Sequence, residues 1–431
     1  MKNNIIDVYD NLLKILIVYL LTAPIFNIII YNYKLSKLFS ALNELIVILL
    51  LIISFIAIKK IKLTRESFSI FFISLLYAFW IIIASFKSFY IRDFELGLLL
   101  NTIRIRLFPL LLFMLILIIP YKKSYIINIK EFIQSLFNIY IYLNFVFVLI
   151  ELILGWEKIT LFIFGSPKYS FNLLRFSHIG PFLRVPGLFS GAIGLGIFAN
   201  FVFTFNLINY VFKKKKIFLF NSMISLFLII ISFNRQLYLI TFIFIIILFI
   251  IKLKDKYLRF LVLFIILIII ISIFPIITNS NFSLLSTQSM NYRVEAWDNT
   301  IEDMDLNNNL SNLFFGKGGG TSGTSMNNPF KRGDNKNEGE YGLNFVDNGY
   351  LLLIHDYGVI GLFLFLLLSI YILLFLGKNH YDTFEYSVII IVCLTLVRMV
   401  FNSIFTGQFT ISFYYLFLGI SLKGIIERKA Y

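Results

Sequence analysis

Charge is scarce in this chain. Only 14% of its 431 residues are Asp, Glu, Lys or Arg, against about 25% in a soluble domain. That shortage excludes an ordinary water-soluble globule. Cysteine is nearly absent: Cys393 alone, inside an apolar segment, excludes an intramolecular disulfide and a thiolate metal cluster. The histidines His178, His355 and His380 lie far apart in sequence, and no H-E-x-x-H or Cys/His spacing joins them into a zinc site. No metal and no cofactor is expected.

What is abundant is apolar. Hydrophobic residues make up 59% of the chain, and the mean hydropathy is +0.88. Runs such as Leu45–Ile58 and Leu261–Phe274 carry no charge. A helix crossing a hydrocarbon core roughly 30 Å thick needs about 20 such residues. The expected fold is therefore an all-α polytopic membrane protein of about twelve spans. They fall near 12–31, 39–58, 67–86, 101–120, 133–155, 190–212, 217–232, 237–251, 260–277, 349–376, 386–405 and 409–425. The first run is too long for a signal-peptide core and lacks a small-residue cleavage site, so it reads as an uncleaved span.

Lysine-rich connections alternate with lysine-poor ones. Lys59, Lys60 and Lys62 follow the second span, Lys122 and Lys123 the fourth, Lys213 to Lys216 the sixth, and Lys252, Lys254, Lys256 and Arg259 the eighth. The positive-inside bias places these connections and both termini in the cytoplasm. The net charge of +15 is then largely a topology signal and an attraction to anionic lipid, with no nucleic-acid surface implied.

Arginine follows another rule. Nine of the twelve arginines fall outside or within the membrane on this topology: Arg92, Arg104, Arg106, Arg175, Arg184, Arg235, Arg293, Arg332 and Arg398. A guanidinium grips phosphate through two hydrogen bonds and keeps its charge, so an outward-facing phosphate site is expected; scattered loop residues are the plainer alternative. One integral membrane domain, 1–431, then carries a first external loop at 156–189 and a large one at 278–348. No internal repeat suggests an inverted-repeat transporter.

Several motifs have plainer explanations. Gly316–Gly323 is glycine-rich, but Lys317 precedes glycine where a phosphate loop needs Ser or Thr, so a flexible turn is expected. Asp303-Met-Asp305 has the spacing of an acidic metal pair, yet Asn308 and Phe314 stand where a calcium loop needs Gly and Glu. That leaves at most a weak Mg²⁺ site. Arg398 lies inside a span, where an ionised group normally faces protein, a partner or a water-filled cavity. Arg235 sits on a tight outer turn, Ser232-Phe-Asn-Arg235, and Arg184 ends the first external loop in Arg184-Val-Pro-Gly187. Both arginines equally suit interface anchors. Asp347, where the large loop meets a span, suits a general base or a helix N-cap. His355, about two turns deeper, suits a base or a structural hydrogen-bonder.

Together these segments resemble the bacterial O-antigen polymerase and ligase superfamily (Wzy and WaaL). The resemblance covers roughly 150–375 and rests on Arg184-Val-Pro-Gly187, Ser232-Phe-Asn-Arg235, Arg293-Val-Glu-Ala-Trp297, Phe315-Gly316-Lys-Gly318, Asp347-Asn348-Gly-Tyr350 and Gly358-Val-Ile-Gly361. The ligases carry histidine where this chain has Asp347, which favours the polymerase branch. The resemblance implies a GT-C-like, metal-independent glycosyltransferase in the bacterial inner membrane, acting on glycans carried by undecaprenyl diphosphate, with a chain-length regulator as a candidate partner. Arg184, Arg235, Arg293 and Arg398 would hold the diphosphate, and Asp347 or His355 would move the proton. Outer-loop aromatics (Trp156, Tyr292, Trp297, Tyr341, Tyr350) would stack on sugars. A ligase joining glycan to lipid A core and a lipid-linked oligosaccharide flippase are the competing expectations.

Overall fold

The computed structural model describes residues 7–20, 22, 48, 49, 52, 65–92, 96–118, 123–155, 178–179, 182–183, 185–189, 192–252, 288–304, 309–319, 348–379, 382–400 and 408–429. They are almost wholly helical, because a chain this apolar must satisfy its backbone groups within each segment. In chain order the helices are α1 (7–20), α2 (Arg65–Arg92), α3 (Leu96–Ile118), α4 (Lys123–Leu154), α5 (Ala192–Lys213), α6 (Lys216–Ile231), α7 (Arg235–Lys252), α8 (Gln288–Asp303), α9 (Ser311–Phe315), α10 (Gly349–Asn379), α11 (Thr383–Arg398) and α12 (Gln408–Lys429). A departure from the all-α expectation is the two-residue antiparallel pair β1 (His178–Ile179) and β2 (Phe182–Leu183), with His178 opposite Leu183.

Among the described residues four segments are long and apolar enough to cross a membrane: Arg65–Lys87, Tyr125–Leu154, Ala192–Lys213 and Gly349–Asn379, with Lys216–Ile231 and Gln236–Leu248 shorter apolar helices. The expected spans at 260–277 and most of 39–58 lie outside the described residues. Helices α8 and α9 fall inside the stretch expected as the large external loop.

The chain forms two compact units, residues 1–20, 40–132 and 293–431 in the first and 21–39 and 133–292 in the second. In the first, α3 packs between α2 and α12, and α10 packs on α2 and α11. One end of this bundle is tied by charge. Lys130 at the start of α4 reaches Asp382 at 2.7 Å and Glu385 at 2.8 Å; Arg428 at the end of α12 meets both carboxylates; Lys429 reaches Glu66 at 3.0 Å. Asp382 also caps α11 by accepting the Glu385 N–H at 2.9 Å. At the opposite end the start of α10 meets the end of α11, with the Gly349 N–H on the Met399 carbonyl at 2.7 Å and the Tyr350 hydroxyl on the Leu396 carbonyl at 2.7 Å.

In the second unit α5 and α6 pack closely, with α7 against both. Polar side chains bridge helices inside the apolar interior: Asn221 donates to Asn138 at 2.9 Å and Asn200 to Thr241 at 2.8 Å. Such bonds hold helices together where water is absent.

Candidate functional site

The site in the first unit is built around a break in α10. Gly358 has φ 70° and ψ −178°, a conformation essentially closed to residues with a Cβ. The break frees the carbonyls of His355, Asp356 and Tyr357, and each finds a donor from outside the helix. The Lys317 N–H takes the first at 2.7 Å, the Gly318 N–H the second at 3.2 Å, and the Trp80 indole N–H the third at 2.8 Å. The backbone after α9 therefore docks directly on the broken helix. A Cβ on Gly358 would lie 2.1 Å from the Phe314 carbonyl oxygen, and one on Gly316 2.6 Å from the Asp356 carbonyl. The Gly319 N–H then bonds the Ala84 carbonyl of α2 at 3.1 Å.

This corrects one expectation. Residues 316–319 are no flexible turn but a docked strand of backbone whose first N–H groups are engaged by protein carbonyls. The Asp303 carboxylate is likewise engaged: Oδ1 accepts from Lys317 at 2.7 Å and Oδ2 faces His355 Nε2 at 2.9 Å. Asp305 lies outside the described residues. Among the described residues no cluster of metal-ligating side chains forms.

His355 is the centre of the charged group. Its ring is buried, with Nε2 toward Asp303 and Nδ1 3.3 Å from Asp356 Oδ1. Two carboxylates facing two ring nitrogens call for two N–H donors, so the ring serves better as a fixed donor than as an open base. Arg106 of α3 approaches Asp356 at 3.9 Å, and Lys87 of α2 donates to the Asn312 side chain at 3.3 Å and to the Gly316 carbonyl. The His355 hydrogen bond and the Lys317 ammonium hold the Asp303 carboxyl well below the usual carboxylate range, against an opposing push from partial burial.

The expected site residues are distributed unevenly. Arg398 is buried at the end of α11, beside the start of α10, and its Nε has no hydrogen-bond partner among the described residues. Asp347 lies outside the described residues. The N-cap that sequence allowed it belongs to its neighbour: the Asn348 side chain accepts the N–H groups of Tyr350 at 3.0 Å and Leu351 at 3.1 Å. Tyr350 has its hydroxyl engaged by α11, and Trp297 of α8 is half-buried, its indole N–H without a hydrogen-bond partner among the described residues. Arg293 lies on α8 and Arg235 opens α7, but their side chains are outside the described set, as are all of Arg184, Trp156 and Tyr341 and the side chain of Tyr292.

In the second unit the backbone around two of these arginines has the expected form. The turn before Arg235 is tight: Phe233 has φ 44°, and Asn234 caps α7 by accepting the Gln236 N–H at 3.2 Å. After Arg184, Gly187 (φ 60°) is strapped to α4. Its N–H donates to Glu151 at 3.0 Å, and the next, of Leu188, to Asn144 at 3.1 Å. A Cβ there would lie 2.9 Å from the Asn144 side-chain oxygen, so the close approach requires glycine.

Sequence reasoning missed Asp303, Asp356, Arg106, Lys317, Lys87 and Trp80 as one group, and Glu151 as the strap's anchor. One signal was available. His355 and Asp356 are adjacent polar residues inside an apolar span, where such residues are costly.

The fold and site define a helical membrane protein with a charged cluster at a broken helix. Residues 220–366, about a third of the chain, match the family model described as O-antigen ligase. No curated protein matches the chain. The matched segment contains the Ser232–Arg235 turn, α8, the Gly316 loop and the break in α10. It supports a likeness to the Wzy/WaaL superfamily and an O-antigen polymerase or ligase type of activity, which implies glycosyl transfer from lipid-linked oligosaccharides.

Proposed function

We propose that this protein is the polymerase of that pair, joining repeat units carried on undecaprenyl diphosphate at the outer face of the bacterial inner membrane. The observation that carries the reading is the docking of the 316–319 backbone on broken α10, which gathers Asp303, His355, Asp356 and Lys317 of the segment that resembles the family beside Arg106 of α3. A site that separates a glycan from a diphosphate needs fixed cations for the departing charge and a carboxylate for the arriving hydroxyl.

In this reading each of Arg184, Arg235, Arg293 and Arg398 is a candidate to hold the diphosphate, and Trp297 and Tyr350 are candidates to stack on the glycan. Asp347 takes the proton of the acceptor hydroxyl as its oxygen bonds to the sugar's anomeric carbon. The anomeric carbon–oxygen bond to the diphosphate breaks, and the diphosphate leaves with the electron pair. His355 orients the neighbouring carboxylates and takes no proton.

A ligase reading is favoured by one observation, the description of the matching family. Surface polysaccharide and lipid-linked intermediates from a deletion strain separate the two. A single repeat unit on the surface with the ladder gone supports the polymerase. Long chains stranded on the lipid carrier mean a ligase. If Arg235→Ala and Asp347→Asn both polymerise normally at wild-type protein levels, these site assignments fail.

A further inference from the structure

The turn between α5 and α6 consists of Lys213, Lys214, Lys215 and Lys216, all exposed. Lys214 has φ 57°, with its N–H on the Tyr210 carbonyl at 2.8 Å. This is the position past a helix end that glycine usually takes, because a Cβ is disfavoured there. Among the described residues no Asp or Glu pairs with Lys214, Lys215 or Lys216. Four like charges on adjacent residues repel one another, and a lysine in a left-handed position adds strain. A role in topology accounts for the clustered charge but not for the strained position, since lysines in any loop conformation supply it.

The surroundings indicate what offsets both. Large apolar side chains flank the lysines on both helices: Phe212 is 54% exposed, Ile217 50% and Phe220 56%. The two helices are apolar, α5 long enough to span and α6 shorter, so the turn lies where an apolar belt ends and headgroups begin. Lys213 is held over the Phe218 ring and Lys214 over the Tyr210 ring, each 5.7 Å from the centroid. The rings fix two ammonium groups at the level of that belt's edge.

We propose that the Lys213–Lys216 turn is a binding site for the phosphate of anionic phospholipid headgroups. The ligand class follows from charge complementarity beside an exposed apolar edge: a lipid supplies phosphate and acyl chain together, whereas a free phosphate supplies only the first. The inference does not depend on the proposed function.

The test uses the full chain in nanodiscs, with Lys214→Gly/Lys215→Gln as the variant. It keeps Lys213 and Lys216 for topology and relieves the strained position. Wild type is expected to unfold at higher temperature in phosphatidylglycerol than in phosphatidylcholine, and to retain phosphatidylglycerol about tenfold better than the variant does. In phosphatidylcholine alone the variant should equal or exceed wild type, because glycine accepts the positive φ. Equal retention by both proteins, or no preference in wild type, overturns the proposal. So does full stabilisation of wild type by inorganic phosphate in phosphatidylcholine, which would mark a free-anion site. Should the double variant fail to reach the membrane, Lys215→Gln alone, which leaves the turn and ring contacts intact, must still lower phosphatidylglycerol retention; unchanged retention overturns the proposal.

Discussion

A single added methyl group at Gly358 would disturb three things at once. It would strain φ 70°, collide with the Phe314 carbonyl at 2.1 Å, and displace the loop whose N–H groups serve the freed carbonyls. Gly358→Ala is expected to cost about 3 kcal/mol or more, seen as a lower unfolding temperature in detergent. Asp303→Asn is a subtler change at the same site. It leaves His355 and Lys317 without their shared anion and should cost about 1–3 kcal/mol at neutral pH. Because Asp303 titrates below its usual range in the folded protein, its contribution is fully present above the ordinary carboxylate pKa and is lost as pH falls toward the depressed value. Wild type and Asp303→Asn should therefore differ in unfolding temperature at pH 7 and converge in strong acid. A constant difference at every pH would mean that the carboxylate's charge is not what matters. The sequence made part of this group legible: His355 beside Asp356 in an apolar span is visible on inspection. Asp303 stands 52 positions earlier, and no local pattern pairs it with His355.

The elements themselves were easier to read than their interruptions. Apolar runs near the thickness of a bilayer announce α2, α4, α5 and α10, since composition alone decides them. The break in α10 leaves no such trace, because the polar pair His355-Asp356 just before Gly358 marks a costly position but not a backbone break, and a helix tolerates glycine. The strap is similar. Arg184-Val-Pro-Gly187 announces close approach through its glycine, but not that Glu151 of α4 receives it. Leu188 is held by a neutral amide, Asn144, while Gly187 is held by a carboxyl group. The contrast gives a prediction. Glu151→Gln preserves an acceptor for the Gly187 N–H and should unfold within a degree or two of wild type. Glu151→Ala removes the acceptor and should cost about 1–3 kcal/mol. Equal losses in both would mean that the strap needs the carboxyl group itself.

Over the whole first unit, charge separates two ends. Glu66, Lys130, Asp382, Glu385, Arg428 and Lys429 meet at one; Lys87, Asp303, Lys317 and His355 gather near the other, where Gly349 meets Met399. These helices alternate in direction: α2 begins at the first end and reaches the second at Ala84, while α10 begins at the second. From the lysine alternation in sequence we propose that the first end faces the cytoplasm and the second the outside. The assignment can be tested with cysteines placed at exposed positions in a Cys393→Ser background. Asn309→Cys, beside the charged site, should react with a membrane-impermeant maleimide in intact cells. Glu66→Cys should react only after the membrane is opened. Labelling of both from the same side would break the alternation on which the span count rests, and reversed sidedness would place the charged site inside. A polymerase of externally presented repeat units needs that site outside, so this one topological measurement bears on the proposed activity before any glycan is analysed.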